Sequence, residues 1–119
     1  MRMFGQMDPT HAAADGLKTY AAIGDGQTVA LIGMRGQIDW MPVPDLGALP
    51  AFAGLLDGRA GGTIELQPVD DYTVRRQYVK GTNVLRTTFT TDRGRATVTD
   101  ALVTGVAGRL PWAELARRV

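Results

Sequence analysis

The run YTVRRQYVKGTNVLRTTFTTDRGRATVTDALV, from Tyr72 to Val103, decides the fold. Three stretches rich in β-branched and aromatic residues, Tyr72 to Val79, Asn83 to Thr90 and Arg95 to Val103, are separated by Lys80-Gly81 and by Asp92-Arg93-Gly94. The separators have hairpin size and turn chemistry, so the spacing predicts an antiparallel meander. Within its last stretch, Ala96, Val98 and Asp100 alternate with Thr97, Thr99 and Ala101, a two-faced strand with one mildly apolar side. Upstream, Thr63 to Pro68 reads as a further strand. Earlier still, Gly24-Asp25-Gly26 marks a turn, Thr28 to Ile32 is a short β-rich run, and Gln37 to Met41 completes a hairpin after Met34-Arg35-Gly36. Pro42, Pro44 and Pro50 impose an irregular loop, because proline cannot donate to a central ladder. Ala51 to Leu56 is the one segment expected to make a helical turn, stopped by Gly58 and Gly61-Gly62. Downstream, Gly105 to Pro111 is a loop, and Glu114 to Val119 begins another strand with no turn after it, as in a chain cut short. The expected fold is all-β, an antiparallel and partial β-sandwich with one short helical turn. Residues 1–16 form a flexible leader, and residues 17–119 form a sandwich domain incomplete at its C-terminal end.

The bulk composition fits one domain. The chain has 119 residues, 45% hydrophobic and 21% charged, which is globular rather than disordered. Its net charge of +1 gives a polyanion such as nucleic acid little long-range field to follow. There is no cysteine, hence no disulfide, thiolate nucleophile or cysteine-based zinc site. The single histidine, His11, cannot assemble a histidine metal cluster alone, and no cofactor is expected. Residues 1–16 lack an uninterrupted apolar core of signal-peptide length. The longest mostly apolar stretch, Trp40 to Leu56, is broken by Asp45 and three prolines and is no membrane helix. A cytoplasmic protein without a membrane partner is the expectation.

The chemistry-bearing residues are few. Gly24-Asp25-Gly26 is no nucleotide fingerprint, since Val29 stands where a third glycine would fall and a strand follows instead of a helix. A serine triad is excluded because the chain has no serine. Glycosidic hydrolysis uses two carboxyl groups flanking one bond, roughly 6.5–9.5 Å apart for inversion. The chain has two glutamates, Glu65 between Ile64 and Leu66, pointing most simply to solvent, and Glu114 near the end. Asp57, Asp70, Asp71 and Asp92 all sit at turns, where local hydrogen bonding accounts for them. No acid/base pair assembles, and no catalytic residue is assigned. Trp40 stands out. Beside Asp39, it can stack on a sugar ring while Asp39 accepts hydroxyl hydrogen bonds, or it can be a core anchor. Arg75-Arg76 and Arg117-Arg118 suggest either an anionic ligand or a solvated strand edge, because paired arginines alternate faces.

The order of motifs adds a resemblance. Tyr20 to Ile32, then Gly36-Gln37-Ile38-Asp39-Trp40, resembles the opening of the trehalase-like N-terminal domain found ahead of glycoside hydrolases of the glucoamylase and trehalase kind, family 15. Phe52 to Asp57 resembles the family's short segment after its proline loop. Arg76 to Phe89 is similar to its R-x-Y-x-x-G-T-N-V-L-x-T-x-F run, and Val98-Thr99-Asp100 to its next strand. The likeness spans Tyr20 to Val103, and Glu114 to Val119 resembles the strand that follows. It implies a β-sandwich ahead of an (α/α)6 barrel that carries both catalytic glutamates and releases glucose, with inversion, from α-linked glucans or trehalose. None of that barrel lies in the 119 residues. The chain also departs from the family. Where members carry a Pro-Arg-Phe-Asp-Ser-Pro loop, Pro44 to Pro50 here replaces the arginine, aromatic and acidic positions.

Two functions are therefore expected in competition. One is a non-catalytic accessory domain of a longer hydrolase, meeting an α-glucoside only through the missing barrel, with Asp39, Trp40 and Asp45 as substrate-contact candidates. The other is a stand-alone small β protein derived from that domain and reused for binding or assembly. With only six or so strands counted, a half-built sandwich leaves open edges and an uncovered apolar face. A homodimer burying over about 1,000 Å² is expected, with Glu114 to Val119 pairing or swapping across it.

Overall fold

The computed structural model describes residues 16–104 and 112–119. A 3-10 turn, Gly16–Thr19, leads into eight strands: β1 Ala21–Gly24, β2 Val29–Ile32, β3 Ile38–Pro42, β4 Pro50–Phe52, β5 Thr73–Tyr78, β6 Leu85–Thr91, β7 Gly94–Leu102 and β8 Leu115–Arg118. Each sheet is an antiparallel meander in chain order, β1-β2-β3-β4 and β5-β6-β7-β8. The two share one core. Ile23, Ala30, Ile32, Ile38 and Met41 from the first sheet meet Leu85 and Leu102 from the second, with Phe52 and Leu115 packed at the margin. This is the all-β sandwich expected from the strand spacing.

The turns follow from side-chain chemistry. Asp25 Oδ1 accepts the backbone N–H groups of Gln27 and Thr28 at 2.8 and 2.9 Å, and Gly26 takes the positive φ of 89° that the β1–β2 reversal needs. In the β5–β6 turn, Gly81 has φ 74°, and the Thr82 hydroxyl donates to Val79 O while accepting from Val84 N–H. The run after that turn buries Leu85, Thr87 and Phe89 and turns Arg86 outward, the strict alternation of a half-buried strand. Phe89 meets Tyr72 edge-to-face at 5.1 Å.

Polar side chains tie the sheets together. The Arg76 guanidinium reaches from β5 to the first sheet, donating to Ile32 O at 2.7 Å and Thr19 O at 2.6 Å. Two residues on, the Tyr78 hydroxyl donates to Ala22 O and accepts from Ala22 N–H, so a side chain satisfies a backbone pair on edge strand β1. On β8, Arg117 grips the fully buried Asp100 of β7 at 2.6 and 3.1 Å and donates to Gly36 O at 2.8 Å. Removing one partner of such a buried pair strands a charge, at a cost of about 3–5 kcal/mol.

Several expectations change. Thr63 to Pro68 is not a strand; its ladder contact is a single bridge, Ile38 to Ile64. Ala51 to Leu56 divides in two. Ala51 and Phe52 belong to β4, and only the segment from Ala53 closes a turn, with Leu56 N–H and Asp57 N–H both donating to Ala53 O. Pro42 and Pro50 are not loop residues but paired ends of β3 and β4, where the missing N–H falls at the margin of the ladder. Arg76 and Arg117 are half-buried clasps; only their neighbours Arg75 and Arg118 are solvated. The described residues hold eight strands, and β8 pairs with β7 of its own chain from Leu102↔Leu115 to Thr99↔Arg118. The leader assigned to residues 1–16 lies outside the described residues except for Gly16, as does most of the loop from Gly105 to Pro111.

Candidate functional site

Asp39 and Trp40 owe their placement to a break in the β2–β3 ladder. Leu31 pairs with Trp40 and Ile32 pairs with Ile38, so one step along β2 matches two along β3. Asp39 is the extra, bulged residue. Without the bulge, Ile38 and Met41 would have opposite parity and could not both enter the core; with it, both do. The same shift leaves Trp40 half-buried opposite Leu31.

A bulge that turns a carboxylate inward must also satisfy it. Asp39 is 8% exposed, and the Tyr20 hydroxyl donates to its Oδ2 at 2.7 Å. The Thr63 hydroxyl lies 2.7 Å from Oδ1 and 2.9 Å from Ile38 O, one proton within reach of both acceptors. The backbone carbonyl of Asp39 accepts Leu55 N–H at 2.9 Å, fixing the turn after β4. Gly54 fits against this knot because it lacks a side chain. A Cβ there would lie 3.0 Å from Asp39 Oδ1 and 3.1 Å from Gly62 O. Three separate segments thus converge on one residue, two of them on its carboxylate.

The third candidate is elsewhere in kind. Asp45 is exposed and serves its own loop, accepting Gly47 N–H at 2.9 Å through Oδ1 and Ala48 N–H through its carbonyl. The loop leans on the β1–β2 turn, with Leu46 N–H donating to Gln27 O, while Leu46 and Leu49 project into solvent at 63% and 89% exposure. No hydrogen bond joins Asp45 to Asp39 or Trp40. Glu65 is exposed, as its neighbours suggest, and lies 3.5 Å from Arg35 Nε. Asp57 caps its turn, and the backbone N–H groups of Ala60 and Arg59 hold its carboxyl below the usual range.

Tyr20 and Thr63 were not singled out by sequence reasoning, because nothing local in the chain reveals that they meet Asp39. Tyr20 stands at the head of the motif that carries the family resemblance, which was the available signal. Arg76 and Tyr78 were more legible, since both fall in phase with Val74 on the inward side of β5.

The knot titrates. Burial, then donation to Asp39, push the Tyr20 phenol up to about 12 from its ordinary 10. The neutral phenol is the folded form's preference, so its stabilisation is complete below pH 10 and is lost as pH rises through 12. Tyr72 is raised by burial too and contributes in the same direction. Alkaline melting should therefore show a falling midpoint between pH 10 and 12 that is shallower in Tyr20→Phe. That variant should also lose about 1–3 kcal/mol at neutral pH by leaving Asp39 Oδ2 without its donor. An unchanged alkaline slope in Tyr20→Phe would remove Tyr20 from the titration.

Comparison with known proteins fits this arrangement. A family model described as "Trehalase-like, N-terminal" matches residues 10–112. The trehalase of Mycolicibacterium smegmatis is 33% identical over 100 residues, covering 83% of this chain and 14% of that protein. Trehalase 1 of Sulfolobus acidocaldarius is 36% identical over 91 residues, 76% of this chain and 16% of its own length. The trehalase of Thermoplasma volcanium is 35% identical over 75 residues, covering 61% of this chain and 12% of its own. The chain thus spans about a seventh of the length of the curated relatives it matches. No solved structure matches.

Proposed function

The chain belongs to the trehalase-like N-terminal domain family, and from that premise we propose that residues 17–119 serve as the non-catalytic β-sandwich domain of a glycoside hydrolase acting on α-linked glucose saccharides. The observation that carries this reading is the match over residues 10–112 together with its small share, 12–16%, of the trehalases it resembles. Further support comes from the buried carboxylates. Asp39 and Asp100 each have both oxygens engaged by protein donors, which leaves neither free to protonate a leaving group or activate water. In this reading both catalytic carboxyls lie in an (α/α)6 barrel, and the sandwich shapes one wall of its active site.

Within that wall, Trp40 offers its half-exposed indole to a sugar ring. Asp45 lends a carboxylate to sugar hydroxyls, and Asp39 fixes the bulge that aims Trp40. In the longer hydrolase, Trp40→Ala should raise KM for trehalose with kcat little changed. Stability should fall by only about 1–2 kcal/mol, as suits a half-buried side chain. A loss of about 3–5 kcal/mol with KM intact would make Trp40 a packing residue alone.

Hydrolysis supplies the direct test of the non-catalytic role. The 119-residue chain should release no glucose from trehalose, maltose or soluble starch above buffer. Release abolished by Glu65→Gln would place catalysis in this domain and overturn the proposal.

One observation favours the second reading, a small β protein used for binding or assembly. Leu46 and Leu49 stand exposed on the loop that departs from the family's chemistry, and apolar side chains so placed suit an interface between two copies. Light scattering at micromolar concentration should then report a dimer that Leu46→Asp with Leu49→Asp returns to monomer; a parent chain already monomeric would dismiss it.

A further inference from the structure

The outward face of the second sheet carries charge of one sign. On β5–β7 it presents Arg75, Arg86 and Arg95, all exposed, with threonines between them. The register gathers these residues around Thr88. Arg75 lies directly opposite it on β5 and Thr97 opposite it on β7. Arg86 and Thr90 are its same-face neighbours along β6, and Arg95 sits across from Thr90. An arginine side chain easily spans one such interval, so three guanidinium groups can meet over one threonine hydroxyl. They line a shallow depression of about 340 Å³ with Thr88, Thr90 and Thr97 on its floor. That volume is at the lower end of the range for small-molecule sites.

These arginines are uncommitted, as Arg59 and Arg118 also are, whereas four others among the described residues are engaged. Arg76 and Arg117 clasp backbone carbonyls, and Arg35 and Arg93 approach Glu65 and Asp70. Among the described residues, Arg75, Arg86 and Arg95 have neither a hydrogen-bond partner nor an ion pair. No strand position on this face holds a carboxylate. The nearest in sequence, Asp71, Asp92 and Glu114, lie ahead of β5, in the β6–β7 turn and ahead of β8. Arg118, opposite Thr99, adds a fourth positive charge. Like charges placed together without a counter-charge repel, and in a chain of net charge +1 their grouping is local rather than a general basicity. The face has no aromatic side chain on which a base could stack, so it lacks the platform of a single-strand binder.

We propose that this depression binds a phosphate group, held by the guanidinium groups of Arg75, Arg86 and Arg95 and by hydroxyl donation from Thr88 and Thr97. Planar guanidinium groups donate pairwise to phosphate oxygens, and hydroxyls fill the remaining acceptor directions. The two threonine hydroxyls are hydrogen-bonded to each other at 3.4 Å, close enough for one tetrahedral anion to take the place of that bond and accept from both. The space exceeds a single anion, since one water's share of liquid is about 30 Å³, and it leaves room for the group that a phosphate ester carries. The site is independent of the proposed role beside a hydrolase and holds whether or not that role does.

The test is a titration of the isotopically labelled 119-residue chain, followed by NMR at constant ionic strength, with inorganic phosphate, glucose 6-phosphate and glucose in separate arms. Both phosphates should produce saturable shifts centred on the amides of Thr88 and Thr97, and glucose none. Tighter binding of glucose 6-phosphate identifies an ester as the ligand, and equal binding identifies the free anion. Arg75→Gln, Arg86→Gln and Arg95→Gln should each weaken binding about tenfold, the scale of one charge-assisted hydrogen bond. Their melting curves should stay unchanged, because all three side chains are exposed. Thr88→Val keeps the strand and should weaken binding too. The proposal is overturned if neither phosphate saturates, if chloride alone reproduces the shifts, or if the arginine variants bind as the parent does.

Discussion

The bulge at Asp39 is the constraint on which the first sheet depends. It reverses the parity of β3 in mid-strand, so that Ile38 and Met41 both reach the core while Trp40 turns to the other side. A carboxylate brought inside by such a break is costly unless hydrogen-bonded. The chain answers by drawing Tyr20 and Thr63 onto the carboxylate, and the turn at Leu55 onto the backbone carbonyl of the same residue. Those groups come from ahead of β1, from after β4 and from the connection toward β5. The bulge therefore organises the irregular parts of the first sheet, which short strands of three to five residues could not do through their own ladders.

Between the sheets, polar contacts extend a core of limited size. The apolar cluster is centred on Ile23, Ile32, Ile38 and Leu85. Around it, Arg76, Tyr78 and Arg117 reach backbone groups of the opposite sheet. Each contact settles a backbone carbonyl that an apolar neighbour would leave unpaired, and buried carbonyls without partners are costly. Gly36 shows how close this packing is. Its φ of 72° suits glycine, its carbonyl accepts from Arg117, and a Cβ would lie 2.9 Å from Leu66 O and 3.2 Å from Phe89 Cζ.

What the sequence disclosed follows the range of the forces involved. β5, β6 and β7 are legible because their turns carry their own chemistry, Gly81 and Thr82 in one and Asp92 to Gly94 in the other, and both hairpins close locally. β1 is nearly silent, since Ala-Ala-Ile-Gly has little β-propensity and becomes a strand by pairing with Val29 to Ile32. β4 is hidden by Pro50, whose missing N–H argues against a strand until its position at the ladder's end is known. Thr63 to Pro68 errs the other way. It has strand composition, but β4 already takes that edge of β3 at Met41 and Pro42, and only Ile64 finds a bridge, to Ile38. At the candidate site, the adjacency of Asp39 and Trp40 was plain. The bulge that gives them different environments was not, because a register break is a property of two strands and is written in neither alone.

The arginine pairs carry that point from fold to function. In Arg75-Arg76 and in Arg117-Arg118, identical side chains one residue apart do opposite work, because a strand sends neighbours to opposite faces. The inward member of each pair fixes its strand against the first sheet through carbonyl acceptors. The outward member stands on a strand already immobilised by its neighbour. A face supported in this way spaces the Cα positions of its arginines by the strand ladder rather than by loop motion, so that only the side chains remain to be ordered when an anion binds. Burial of one arginine and display of the next are thus linked. The clasps that complete a small core also anchor the strands from which Arg75 and Arg118 project.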